Sequence, residues 1–321
     1  MSATSPAPCR GFGHGKVILV GEHAVVYGHA ALAAGLSAGV TAHATPGTGR
    51  LRVPAWSLEA TAGDGSDVGR ALAAVLDRFG TRALDFEADA GIPSRAGVGS
   101  SAALAVALAR AAASATGRAQ RTLDDRAREE LVDAAVADAE AVFHGTPSGI
   151  DAAAAASGAV GRFSRADGWR RVPVLQTMTI CVGLSGRPRD TAAQVAAVGR
   201  LRERMPATND ILALMGRLAG DAETALARGD IDGLGRILDA AHGLLAALRL
   251  SSPELDALVH GARSAGAIGA KLTGAGGGGA VIALAPGHER DVLARWRAAG
   301  FDGFLAEIAA TEPAARREAR P

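Results

Sequence analysis

Nine residues constrain this chain more than any other feature. The run KLTGAGGGG occupies residues 271–279 and joins two short apolar runs, residues 267–272 and 280–284. Four consecutive glycines are costly in chain entropy and bring no side chain to a core. Two buried strands joined in this way leave two physical readings. Either the backbone must approach a bound ligand closely, or the segment is a long hairpin turn.

Two further glycine-rich stretches lie upstream. The first, GFGHGKVILVGEHAVVYG, spans residues 11–28. It does not fit a Walker A loop, because position 10 is Arg and Val17 follows Lys16 where Ser or Thr is required. It does not fit the dinucleotide fingerprint either, since its glycines precede a strand (residues 17–20) instead of following one. What remains is Lys16 at a strand start, with Glu22 and His23 just past its end. These charged groups are either a site or a solvated strand edge. The second stretch, IPSRAGVGSSAA, spans residues 92–103 and opens a helix expected over residues 101–115. Curled glycine backbone and a helix N-terminus present converging N–H groups to a di- or triphosphate. Ser100 and Ser101 can cap that helix, and a serine hydroxyl there can ligate Mg²⁺. The competing reading is a capped helix without a ligand. Finally, Glu140 lies near the end of a helix and Asp151 follows the break HGTPSGI. The two can meet only if the chain doubles back, one holding a metal and the other taking a proton.

The 321 residues suit two domains, and the balance of 48% apolar and 21% charged residues excludes a disordered chain. A net charge of +1 argues against nucleic acid or an anionic membrane as partner. Cys9 and Cys181 are too few for a disulfide framework. Of 34 basic residues only Lys16 and Lys271 are lysines. Where Arg prevails so strongly, a retained Lys either marks a place that suits a compact point charge or has survived by chance. Neither a signal peptide nor an apolar span of about 20 residues is evident, so a cytoplasmic protein is expected. Helices are expected over residues 68–79, 123–143 and 288–299, after Ile150, and three or four times within residues 190–265. Strands are expected over residues 30–43, 84–88, 172–182 and 303–309. The fold class is α+β, in two domains, residues 1–175 and 176–321.

The segments GKVILVGEHAVVYG, GVGSSAA, FHGTPSGID and KLTGAGGGG, in this order, resemble the GHMP kinase superfamily and, within it, the mevalonate kinase family. The resemblance covers residues 11–285. It implies an N-terminal mixed α/β domain, a ferredoxin-like C-terminal domain and an active site in the cleft between them. It implies ATP-dependent phosphorylation of the 5-hydroxyl of (R)-mevalonate, with ATP and mevalonate as small-molecule partners and Mg²⁺ as cofactor. The catalytic base falls on Asp151 and the catalytic cation on Lys16. The nucleotide-binding loop falls on Arg95, Ala96, Gly97, Val98, Gly99, Ser100 and Ser101. Metal ligands fall on Ser101 and Glu140, and substrate contacts on Glu22, His23, Ser148, Thr191 and Ala275. No catalytic role falls on Lys271, where Arg should be tolerated better than at Lys16. The family tends to form homodimers. Three positions depart from the pattern: His14 stands for the usual Pro, Thr146 for Asn, and Arg95 for a small residue. The alternatives are another GHMP small-molecule kinase, with Arg187 and Arg189 as candidate cations for a phosphorylated substrate, or an inactive relative that only binds.

Overall fold

The computed structural model describes residues 9–119, 124–144 and 149–311. They form two units that interleave in sequence. One comprises the chain up to Gly15, Ala38–Ser94 and Gly99–Ser157; the other comprises Lys16–Ser37, Arg95–Val98 and the chain from Gly158 onward. The division departs from a single boundary after residue 175, because strands β1 (Cys9–Val20) and β2 (Ala31–Pro46) each contribute residues to both units.

In the first unit, residues 40–46 of β2 pair antiparallel with β5 (Leu84–Ala90). β5 runs parallel to β3 (Arg50–Val53), which pairs antiparallel with β4 (Leu58–Thr61). Helix α1 (Asp67–Arg78) buries Ala71, Leu72, Val75 and Leu76, a helical stripe, and Ser66 caps it by accepting the Gly69 N–H at 2.9 Å. Helix α2 (Ser100–Ala119) is buried on all sides over Ala102–Ala109, as a central helix must be, and packs against α1, α3 (Asp125–His144) and α4 (Ile150–Ser157).

The glycines of residues 11–15 belong to β1, which begins eight residues before the expected strand. A Cβ on Gly11 would lie 2.2 Å from the Ala107 carbonyl oxygen, and one on Gly13 would lie 2.1 Å from that of Ala103. Alternate residues of a strand share a face. These glycines therefore let α2 rest directly on the β1 backbone; they do not form a phosphate loop.

In the second unit, residues Ala31–Ala34 of β2 pair with β6 (Val160–Ser164), which forms a hairpin with β7 (Gly168–Arg171). There follow β8 (Met178–Leu184), four helices α5 (Thr191–Arg204), α6 (Thr208–Arg228), α7 (Ile231–Ala247) and α8 (Pro253–Ser264), then β9 (Gly269–Thr273), β10 (Ala280–Leu284), α9 (Glu289–Ala298) and β11 (Asp302–Ile308). The sheet order β11-β8-β10-β9 is antiparallel throughout, and the β-α-β-β-α-β sequence is ferredoxin-like. Its core gathers Trp296, Leu258, Leu272 and Val281; Trp296 donates its indole N–H to the Leu258 carbonyl at 2.8 Å. The strand expected over residues 172–182 starts only at Met178. Pro173 has no N–H to give a ladder, and the Val174 N–H goes to the Thr311 hydroxyl at 2.9 Å. Among the described residues no helix is long and apolar enough to cross a membrane.

Candidate active site

The glycine run 274–279 is the turn of the β9–β10 hairpin, closed by the Ala280–Thr273 pair. The hairpin turn of the second reading is present. Gly274, Gly276, Gly277 and Gly279 hold φ between 70° and 87°, a region other residues rarely adopt. Protein atoms also crowd the turn. A Cβ on Gly276 would meet the Leu250 carbonyl at 2.3 Å, and one on Gly277 the Gln194 amide at 2.3 Å. The Gly279 N–H donates to the Arg187 carbonyl at 3.1 Å.

The same turn brings the Arg189 guanidinium to the expected nucleotide loop. A Cβ on Gly274 would lie 2.1 Å from Arg189 Nη1, and one on Gly97 would lie 3.0 Å from the same atom. Arg95, Gly97 and Gly99 all have left-handed backbone, with φ of 56°, 86° and 77°. This curls the segment Arg95–Val98, and the Lys16 N–H ties it to β1 through the Val98 carbonyl at 2.8 Å. Ala96 is half-buried beside it. Arg187 forms a 2.6 Å ion pair with Glu254, and the hydrogen bonds around Glu254, with the guanidinium beside it, hold that carboxyl below its ordinary range.

The end of β1 carries Glu22 and His23, both buried despite their polarity. His23 has φ of 60° at the start of a short 3₁₀ turn, Ala24–Tyr27. Its Nε2 lies 2.9 Å from the Ala275 carbonyl oxygen. A carbonyl can only accept, so Nε2 carries the proton. Burial pushes the His23 ring below its ordinary pKa, which keeps it neutral and leaves Nδ1 as an acceptor. Nδ1 and the Glu22 Oε2 atom are both buried without a hydrogen-bond partner among the described residues. Two buried acceptors on consecutive residues fit a ligand that brings hydroxyl donors.

Lys271, the lysine expected to tolerate replacement better, is fully buried, with its ammonium donating to Glu22 Oε1, to the Ile18 carbonyl at 3.3 Å and to the Leu272 carbonyl. Burial pushes its pKa down, and the Glu22 carboxylate opposes that shift. Lys16 is also buried, at 2% exposure. The sequence signal for both is the same, two lysines among 32 arginines. Ala275 is buried in the hairpin turn, and Thr191 is exposed at the first position of α5.

In the first unit, Ser100 and Ser101 open α2, Glu140 is buried on α3, and Asp151 is half-buried in the first turn of α4. These three helices pack on one another. Among the described residues no group of three or more His, Cys, Asp or Glu is placed to hold a metal. A serine hydroxyl and one carboxylate match a hard cation that takes its remaining oxygens from phosphates and water. Ser148 and Thr146 lie outside the described residues. A cavity of about 340 Å³ lined by Arg110, Ser114, Arg128 and Glu129 contains none of the expected site residues.

Comparison with known proteins decides the family. Residues 66–159 match the GHMP kinases N-terminal domain, and residues 222–302 match the GHMP kinases C-terminal family. The mevalonate kinase of Pyrococcus abyssi is 33% identical over 91% of this chain and 93% of its own length. That of Aeropyrum pernix is 35% identical over 84% and 86%. The chain belongs to the mevalonate kinase family of GHMP kinases. The solved structure of L. major mevalonate kinase in complex with R-mevalonate superposes with a TM-score of 0.82 at 28% identity, over 97% of this chain and 100% of that one. As a GHMP kinase, this enzyme uses ATP with a divalent metal.

Proposed function

We propose that this GHMP kinase transfers the γ-phosphoryl group of ATP to the 5-hydroxyl of (R)-mevalonate, giving 5-phosphomevalonate and ADP. The observation that carries the substrate assignment is the buried acceptor pair, Glu22 Oε2 and His23 Nδ1, which suits a small ligand with hydroxyl donors. Its similarity to the mevalonate kinases supports the same reading.

In this reading Asp151 accepts the proton of the 5-hydroxyl as its oxygen attacks the γ-phosphorus, and the bond from that phosphorus to the β-phosphate oxygen breaks to release ADP. Lys16, a compact cation, favours the ionised hydroxyl and offsets charge as the phosphoryl group moves. The segment Arg95–Ser101 cradles the nucleotide phosphates with backbone N–H groups and the α2 N-terminus. Ser101 and Glu140 are the protein ligands of Mg²⁺, which supplies charge neutralisation on the phosphates when bound. Thr191, Ala275 and Ser148 complete the mevalonate contacts. Arg189 brings positive charge to the same loops, where an anionic substrate group is expected. The proposed setting is the cytoplasm and the proposed assembly a homodimer.

A kinase for a phosphorylated substrate needs further cations at the acceptor. Of the two candidates, Arg187 already pairs with Glu254, which disfavours that alternative. ADP release measured against mevalonate, phosphomevalonate, galactose and homoserine tests the assignment. Turnover confined to mevalonate is expected; turnover with any of the others and not with mevalonate overturns it.

A further inference from the structure

We propose that Lys271 is a positioning residue, which holds Glu22 so that its second carboxylate oxygen is presented to the substrate; this rests on the reading of Glu22 as a mevalonate contact. The ammonium has three donors and three acceptors: Glu22 Oε1, the Ile18 carbonyl and the Leu272 carbonyl. Two of the three are backbone atoms, on β1 and β9, so the charge sits at a point fixed by two strands from different sheets. Thr273, two residues on and therefore on the same face of β9, locks Ile18 from both sides. Its hydroxyl accepts the Ile18 N–H at 2.9 Å and donates to the Ile18 carbonyl at 3.1 Å. Just past the strand, the Ala275 carbonyl takes the His23 ring N–H. One short segment thus holds both Glu22 and His23.

With Oε1 taken by Lys271, Oε2 is left buried and without a partner among the described residues. A buried ion pair contributes little net stability when each end is fully satisfied, and less when one oxygen is left orphaned. An incompletely satisfied carboxylate at 1% exposure is therefore poor as a structural device and well suited to receive a donor. Lysine fits this role because it presents three donors to three acceptors. Arginine would bring five donors and a wider head into a site with no exposed surface.

The test is steady-state kinetics of the full chain, with mevalonate and ATP varied separately, for Lys271→Met, Glu22→Gln and the double variant. Losing one charge-assisted hydrogen bond to substrate corresponds to roughly 10- to 100-fold. Lys271→Met is expected to raise the mevalonate KM by about that factor while the ATP KM stays within about twofold. The double variant should be no worse than Glu22→Gln alone, because Lys271 acts through Glu22. A merely structural lysine would lower kcat through a loss of active enzyme and leave both KM values in place; that result overturns the proposal. So does additivity in the double variant. If Glu22→Gln leaves the mevalonate KM unchanged, the reading of Glu22 as a substrate contact fails. If it raises that KM and Lys271→Met does not, only the positioning role fails. Should Lys271→Met not fold, Lys271→Gln keeps two donors without the charge and is held to the same criteria.

Discussion

Replacing Gly13 by Ala should destabilise this protein through the contact of β1 with α2. The added Cβ would sit 2.1 Å from the Ala103 carbonyl oxygen and 2.9 Å from the adjoining carbon, whereas ordinary contact begins at 3.4 Å. Strand β1 and helix α2 would have to part by about 1.3 Å. Both of these neighbours are backbone atoms, so no side chain can rotate away. Overpacking of this kind costs about 3 kcal/mol. At roughly 2–4 °C per kcal/mol, the melting temperature should fall by about 6–12 °C. Gly243 provides the opposite control. It is exposed inside α7 with nothing within 4 Å of where a Cβ would stand, so Gly243→Ala should gain about 0.5–1 kcal/mol from helix propensity. Thermal melts and ATP KM values of both variants decide the matter. An unchanged melt with a raised ATP KM for Gly13→Ala would refute the packing argument and return residues 11–15 to the nucleotide.

Four other outcomes are expected. Asp151→Asn should keep nucleotide binding but lower kcat by about 10²–10⁴-fold, and retention of more than about a tenth of wild-type kcat would remove it from the role of base. Lys16→Arg should lose about 100-fold, mainly in kcat, since a guanidinium displaces the attacking oxygen by about 1 Å; near-wild-type kcat would sink that reasoning. Ser101→Ala and Glu140→Gln should each raise the Mg²⁺ concentration needed for half-maximal activity, and titration curves that overlay wild type would reject both ligands. His23 and His242 are both held below their ordinary pKa, chiefly by burial, so the unfolded chain binds more protons as pH falls below about 6.5. Stability should then drop by up to about 1.4 kcal/mol per pH unit for each ring until the folded rings protonate, and His242→Gln should flatten the dependence of melting temperature on pH.

Much of the fold was legible where one element buries one face. The run 280–284 is β10 to the residue, and the apolar spacing of residues 68–79 placed α1 within a residue at each end. Four strands gave no such signal. RLRV, LEAT, VGRFS and GWRR are short and carry charged or small residues, and only their partners across the sheet make them strands. The first half of β1 was hidden for a different reason. Alternating glycine has no propensity for a strand, and its use becomes visible only when α2 is seen against it. The site shows the same division. Glu22, His23, Glu140 and Asp151 stood out by type and neighbourhood, but the part Lys271 plays was hidden because its partner lies 249 residues away.

Glycine count alone therefore cannot locate a phosphate site in this chain, but glycine spacing separates three uses. At residues 11, 13 and 15 the alternation marks a strand approached by other backbone or by a side chain. At Arg95, Gly97 and Gly99, alternate left-handed residues curl a loop ahead of a helix N-terminus, the arrangement that suits an anion. At residues 274–279, near-consecutive left-handed residues turn a hairpin around Leu250, Arg189 and Gln194. The two lysines complete the distinction. Both are almost fully buried beside these elements, Lys16 at 2% exposure and Lys271 at 0%. A buried cation is tolerated only where its donors are matched one for one, and three donors are easier to match than five. At Lys271 that matching is complete, with three acceptors for three donors, in a chain that uses arginine at 32 other positions.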